Sequence, residues 1–187
     1  MVYYRYLFKH SWGLSPNEGL VYSALLSHSL MTSEHFDVDG DFDVELAKAY
    51  IHDNLEIEGK ECIAYDPIST RRLARLLNMS ENTVRKIKDD LENKHHLIHR
   101  GLILCPLRLL DMGFIDVDIE LGLKGLQLLF YGLLRDRSRL LHGTIDTWAV
   151  RLAELMGVSK KDIYNLLSIL QRKGLVERLK DGKLKIK

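Results

Sequence analysis

The chain has 187 residues, of which 46% are hydrophobic and 28% are charged. This composition is typical of a globular protein with room for one large or two small domains. No run approaches the roughly 18 apolar residues of a membrane span, and the first residues lack a signal-peptide pattern, so we expect a cytoplasmic protein. Cys62 and Cys105 are the only cysteines, so we expect buried reduced thiols rather than a disulfide scaffold.

The net charge of +1 conceals a strong segregation of charge along the chain. Residues 34–61 carry two basic and ten acidic side chains, and residues 111–120 carry four acidic side chains and no basic one. Residues 62–110 carry nine basic and five acidic side chains, and residues 121–187 carry fourteen and six. A nucleic-acid-binding protein needs such local positive faces rather than a basic average.

The chain begins with an aromatic segment that contains Tyr3, Tyr4, Tyr6, Phe8 and Trp12. We interpret this segment as a strand or short helix packed on the first domain, and the alternative is a role in an interface. A helix is predicted to follow, because Ser15 can cap it, Pro16 suits its first position and Glu18 its third.

Residues 31–60 form a predicted acidic insertion, and its loop has the spacing of the first three EF-hand ligands at Asp37, Asp39 and Asp41. Calcium binding is not expected, because Phe42 stands where the turn needs glycine and Lys48 where a bidentate glutamate is required. Zinc is not expected either, because no second cysteine pair or matched histidine spacing accompanies His95, His96, His99 and Cys105. We therefore predict neither a metal nor a cofactor.

A first helix-turn-helix is predicted after a short strand at 61–65, with Asp66-Pro67 as the cap of its first helix. Ser80 caps the second helix, and the following hairpin, HHLIHRGLILC, turns near Arg100-Gly101. The candidate DNA-binding residues of this copy are Arg71, Arg72, Arg75, Asn82, Arg85 and Lys86.

A second helix-turn-helix follows an acidic linker at 111–120 and a predicted helix at 126–134. Gly157 ends its first helix, and Ser159 with Asp162 begins its second. The dipeptide Asp181-Gly182 predicts a hairpin whose two turn residues both take positive φ. The candidate DNA-binding residues of this copy are Lys160, Lys161, Tyr164, Asn165, Ser168, Arg178, Lys180, Lys183 and Lys185.

The two helix-turn-helix segments form an internal repeat at an offset of 79 residues, for example Leu73 with Leu152 and Leu91 with Leu170. The preceding helices match at an offset of 108, which places an insertion of 29 residues in the first copy. Because the matched core positions are apolar and both turns end in serine, two copies of one fold are predicted.

Residues 144–187 resemble the winged helix-turn-helix modules of bacterial DNA-binding proteins. The resemblance implies that the second helix enters the major groove and that the hairpin wing follows the backbone. Residues 13–100 resemble the N-terminal winged-helix domain of plasmid and phage replication initiators, in which a Leu-Ser-Pro helix precedes an insertion, a strand and a helix-turn-helix. This second resemblance implies binding of origin repeats and dimerisation through the same domain.

These patterns predict a mainly α fold with small β-hairpin wings (α+β), arranged as two tandem winged-helix domains at 1–110 and 121–187. We expect a double-stranded DNA-binding protein with a replication-initiator-like or transcription-regulatory role, as on a plasmid or mobile element. No enzyme is expected, because no phosphate-binding glycine loop or nucleophile elbow is present.

Two alternatives to a DNA-binding role stay open. One is an interaction scaffold that binds a protein partner or a second copy through the acidic insertion or the aromatic N-terminus. The other is a regulator that responds to a small molecule in a pocket between the domains.

Overall fold

A computed structural model describes residues 2–4, 7, 13–30, 56–57, 60–63, 68–99, 102–104, 113–141, 144–145 and 149–187. Within these ranges the chain forms six α-helices and nine short strands, an α+β arrangement of helices with small antiparallel sheets. None of these helices is long and apolar enough to cross a membrane. The three-aspartate loop of the acidic insertion lies outside the described residues.

The helices are α1 (Pro16–Leu30), α2 (Thr70–Leu77), α3 (Glu81–Asn93), α4 (Leu126–Leu140), α5 (Ala149–Met156) and α6 (Lys160–Arg172), with a 3-10 turn at Ile119–Leu121. The strands are β1 (Val2–Tyr4), β2 (Glu56–Ile57), β3 (Lys60–Ile63), β4 (Ile98–His99), β5 (Leu102–Leu104), β6 (Phe114–Asp116), β7 (Thr144–Ile145), β8 (Val176–Arg178) and β9 (Leu184–Ile186).

One order of elements occurs twice along the chain: a long helix, a strand, two helices and a hairpin. In the first copy these are α1, β3, α2, α3, β4 and β5, and in the second α4, β7, α5, α6, β8 and β9. In each copy the early strand pairs antiparallel with the second hairpin strand, β3 with β5 and β7 with β9. The internal repeat of the sequence therefore corresponds to a repeat of sheet topology.

The two helix pairs also match in length and in the geometry of their turns. Each consists of an 8-residue and a 13-residue helix. Asn78 and Gly157 take the left-handed conformation, with φ of 51° and 63°. The next N–H donates back to the carbonyl of Ala74 at 2.9 Å or of Ala153 at 3.0 Å, which closes both first helices in the same way.

Helices α1 and α4 pack against each other, and a continuous hydrophobic core extends from them through both copies. Helix α1 also contacts α3, and the Tyr22 hydroxyl donates to the Leu104 carbonyl of β5. Helix α4 contacts α6, β7 and β9. Each long helix thus supports the helix pair of its own copy and contacts the other copy.

The first residues of the chain and the linker form one two-stranded sheet. Strand β1 pairs with β6, so that Tyr3 lies opposite Ile115. The Tyr3 ring is 2% exposed, and its hydroxyl lies 2.7 Å from where a Cβ on Gly19 would stand. Glycine at this position therefore lets β1 approach α1 closely.

Two details of the sequence prediction are wrong. Helix α2 is capped by Ser69, whose hydroxyl accepts the Arg72 N–H at 3.2 Å, and not by Asp66-Pro67. The second hairpin has a longer turn than predicted: Gly182 has φ of 85°, but Asp181 does not have a positive φ. The Asp181 carboxylate accepts the Lys183 N–H at 3.1 Å, and this side-chain bond shapes the turn instead.

Candidate nucleic-acid interface

The outward side of α6 is a polar and basic surface. Its inward side buries four apolar residues, Ile163, Leu166, Leu167 and Leu170. The five predicted residues on this helix are all exposed, and we call them the α6 surface: Lys160, Lys161, Tyr164, Asn165 and Ser168. The period of 3.6 residues accounts for this separation of the two sides.

The start of α6 is held by a reciprocal pair of side-chain bonds. The Asp162 N–H donates to the Ser159 hydroxyl at 3.2 Å, and the Ser159 N–H donates to the Asp162 carboxylate at 3.1 Å. These bonds satisfy N–H groups that an isolated helix end leaves unpaired. The two lysines of the first turn therefore extend from a well-defined helix end.

The second hairpin adds further cations next to the end of α6. Strand β8 contacts α6, and the Leu175 N–H donates to the Leu170 carbonyl at 3.0 Å. Leu184 is buried, whereas Arg178, Lys180 and Lys185 are exposed. Lys183 is half-buried, and its ammonium lies 3.6 Å from the Asp181 carboxylate. Of the four predicted hairpin cations, three are thus exposed to solvent.

The predicted residues of the first copy are exposed as well, but their distribution differs. Arg71, Arg72 and Arg75 lie on the solvent side of α2. Asn82, Arg85 and Lys86 are exposed on α3 together with three carboxylates, those of Glu81, Asp89 and Glu92. An Arg85 guanidinium nitrogen donates to the Asn82 side-chain oxygen at 3.3 Å.

Tertiary contacts neutralise part of the positive charge that the sequence assigns to the second copy. Arg135 of α4 lies 3.7 Å from the Asp118 carboxylate, and Arg139 lies 3.4 Å from that of Asp116. These acidic residues belong to the linker. The α4 arginines are thus paired with the linker, and the other exposed cations of the second copy lie mostly on α6 and its hairpin.

A buried polar pair, which the sequence does not single out as a pair, joins α1 to the end of α3. The Glu18 carboxylate accepts the Ser15 N–H at 2.6 Å and lies 3.4 Å from Nε2 of His95. The side chains of His95 and Glu18 are 8% and 9% exposed. Burial by itself raises the pKa of Glu18, but the hydrogen bonds from Ser15 and His95 together lower the pKa below its usual value.

A cavity of about 440 Å³ lies between the start of α1 and the α5–α6 turn. Its lining includes Leu14, Met156 and Gly157, with the polar groups of Glu18 and Lys94. The start of α4 faces the α2–α3 turn in a similar way, but there the Gly125 N–H donates directly to the Leu77 carbonyl at 3.2 Å. A cavity thus separates α1 from the α5–α6 turn, whereas the start of α4 is in direct contact with the α2–α3 turn.

The exposed polar and cationic residues of α2, α3, α6 and the second hairpin form the candidate interface. Within the described ranges, no cluster of three or more histidine, cysteine, aspartate or glutamate side chains is arranged to hold a metal ion. Comparison of the chain with protein-family models, with curated proteins and with solved structures finds no match. The function is therefore inferred from this surface.

Proposed function

We propose that the protein binds double-stranded DNA through two tandem winged helix-turn-helix modules, as a replication-initiator-like or transcription-regulatory protein. The observation that carries the proposal is the α6 surface, a row of exposed polar and basic side chains on the second helix of a repeated helix pair. A helix of this kind fits the major groove of B-DNA, which is about 12 Å wide.

The residue types on the α6 surface match the chemistry of base recognition. The Asn165 amide has the donor and acceptor that pair with N7 and the amino group of adenine. The Tyr164 side chain is 51% exposed and offers an aromatic face to a thymine methyl group. Lys160 and Lys161 extend from the capped start of the helix, where they contact base edges or the adjacent phosphates.

The second hairpin serves as the wing in this proposal. Arg178, Lys180, Lys183 and Lys185 follow the sugar-phosphate backbone beside the groove that α6 occupies. The corresponding candidates in the first module are Asn82, Arg85 and Lys86 of α3 and the three α2 arginines. If five to eight phosphates are neutralised, the logarithm of the binding constant falls with the logarithm of salt concentration at a slope of roughly −4.5 to −7.

The test is binding to a randomised duplex pool at two salt concentrations, with the wild-type chain and the variant Lys160→Glu/Lys161→Glu. Enrichment of one motif by the wild type, lost in the variant, supports the proposal. A matched control is Lys124→Glu/Arg137→Glu, which makes the same change in net charge outside the proposed surface and should keep the motif. No retention of DNA by the wild type at low salt, or a flat salt dependence, contradicts the proposal.

A protein-protein interaction role is the second candidate. Three large apolar side chains of the second copy are exposed, Leu140 at 67%, Leu141 at 49% and Val150 at 48%. Leu140 and Leu141 are neighbours at the end of α4, and adjacent exposed apolar side chains are typical of interaction surfaces. Light scattering without DNA would test this role. A stable oligomer that dissociates in the Leu140→Ser/Leu141→Ser variant supports it, whereas a monomer at all concentrations contradicts self-association.

A further inference from the structure

The two helix pairs differ in which helix carries the net positive charge: the first helix in the first pair, and the second helix in the second pair. Helix α2 has three arginines and no acidic residue, whereas α3 has three basic and four acidic residues. In the second copy, α5 has one basic and one acidic residue, and α6 has three basic residues and one acidic residue. The net charges are therefore +3 on α2 and −1 on α3, but zero on α5 and +2 on α6.

The α2 arginines form one exposed row. Arg71 and Arg75 are four residues apart, and Arg72 and Arg75 are three apart, so all three share one side of the helix. The buried residues Leu73, Ala74 and Leu77 occupy the opposite side. We call these three arginines the α2 row.

Among the residues that the structure describes, few negative charges compensate the α2 row. Arg71 and Arg72 lie in the first turn of α2, where the helix dipole disfavours cations and where no acidic residue is present. In the described part of the chain, the row makes one ion pair, between Arg71 and Glu81 at 3.9 Å. Both of these side chains are more than half exposed, 69% and 51%, so the pair contributes little stability. An external anion such as a DNA phosphate would relieve the repulsion.

The outward side of α3 is poorly suited to the major groove. Inserting α3 into the groove would bring the exposed carboxylates of Glu81, Asp89 and Glu92 towards DNA phosphates, and like charges repel. On α6 the single carboxylate, that of Asp162, is bonded to the Ser159 cap. The α6 surface therefore has the charge that groove insertion requires, and α3 does not.

We propose, resting on the DNA-binding function above, that the two copies have different roles on one duplex. Helix α6 and its hairpin recognise bases, whereas the first copy holds the flanking DNA through phosphates alone, by the α2 row, without inserting α3. The target is then one short asymmetric motif next to a stretch of duplex whose sequence is not recognised. Two related half-sites are not expected.

The first measurement compares Arg71→Gln/Arg72→Gln/Arg75→Gln with the wild type on the enriched motif and on an unrelated duplex of equal length. Binding to both duplexes should weaken by the same factor, and the salt slope should become shallower by about 2.7, or 0.9 for each of three lost phosphate contacts. The charge-preserving variant with lysine at all three positions should keep the wild-type slope. An unchanged slope in the glutamine variant overturns the inference.

The second measurement tests base recognition by each copy. Asn165→Ala should change or abolish the enriched motif, whereas Asn82→Ala should leave the motif unchanged. Two separate enriched half-motifs, one of which Asn82→Ala or Arg85→Ala alters, would overturn the inference but leave the DNA-binding function standing. If the wild type retains no DNA at low salt, or if its binding does not depend on salt concentration, the proposed DNA-binding function itself is refuted.

A duplex trimmed to the motif alone provides an independent check. Removing the flank should weaken the wild type about as much as the glutamine substitutions do, and should not weaken the glutamine variant further. Additive losses would show that the α2 row does not contact the flank. Thermal unfolding of the glutamine variant serves as the folding control, and its Tm should equal or exceed that of the wild type because repulsion within the row is removed.

Discussion

Replacing Glu18 by glutamine should destabilise the protein by more than the loss of an exposed helix cap does. The Glu18 carboxylate accepts the Ser15 N–H at 2.6 Å and is 3.4 Å from His95, and both side chains are less than a tenth exposed. Hydrogen bonds to charged groups contribute about 1.5–3 kcal/mol, and the amide keeps one acceptor, so we expect a loss of about 2 kcal/mol. For a domain of this size the Tm should fall by roughly 4–8 °C.

The effect of the substitution should depend on pH. The pKa of Glu18 in the folded protein lies below its usual value of 4.5, so the folded state favours the ionised carboxylate. The stabilisation is then complete above pH 4.5 and is lost as the pH falls through the lower, folded-state pKa. The difference in unfolding free energy between wild type and Glu18→Gln should therefore be constant near neutral pH and shrink in acid.

Asp162→Asn is the matched control, because Asp162 has the same position relative to its serine cap in α6 but is exposed. This variant should lose about 0.5–1 kcal/mol, as for an ordinary cap. Urea unfolding of the three proteins at a series of pH values measures both effects. If Glu18→Gln costs no more than Asp162→Asn, or if its cost does not shrink in acid, the buried pair does not stabilise the fold as described.

Three further substitutions test the packing of the second copy. In Gly132→Ala, the new Cβ would stand 2.9 Å from the carbonyl oxygen of Asp116. Urea unfolding should therefore show a net loss of about 1 kcal/mol despite the better helix propensity of alanine, and a more stable variant would contradict this close approach. Gly157→Ala places a Cβ at φ of 63°, and thermal unfolding should show a loss of about 1–2 kcal/mol, whereas an unchanged Tm would mean that the turn adapts. Tyr131→Phe removes the hydroxyl that donates to the Lys187 carbonyl at 2.7 Å; we expect a loss of about 1 kcal/mol and faster hydrogen exchange in β9, and protection equal to that of the wild type would refute this role.

Structural features whose signals lie within a few residues of each other could be predicted from the sequence. Apolar residues at helical spacing indicated both helix pairs, and the serine caps at Ser80 and Ser159 are observed where they were predicted. The solvent exposure of the α6 surface follows from the same periodicity, because each outward position is set by its inward neighbours. The error at Asp66-Pro67 occurred because several nearby residues were chemically able to cap α2, and local chemistry did not discriminate between them.

Contacts between residues far apart in the chain could not be predicted from the sequence. The pairing of β1 with β6, the pair of Glu18 with His95 and the bridges from the α4 arginines to the linker have no local pattern. Each depends on how elements far apart in the chain pack together, and that packing is the sum of many weak apolar contacts that no short motif encodes. Sequence could therefore indicate which charges face solvent on a single helix, whereas the tertiary structure determines which of the other charges form ion pairs.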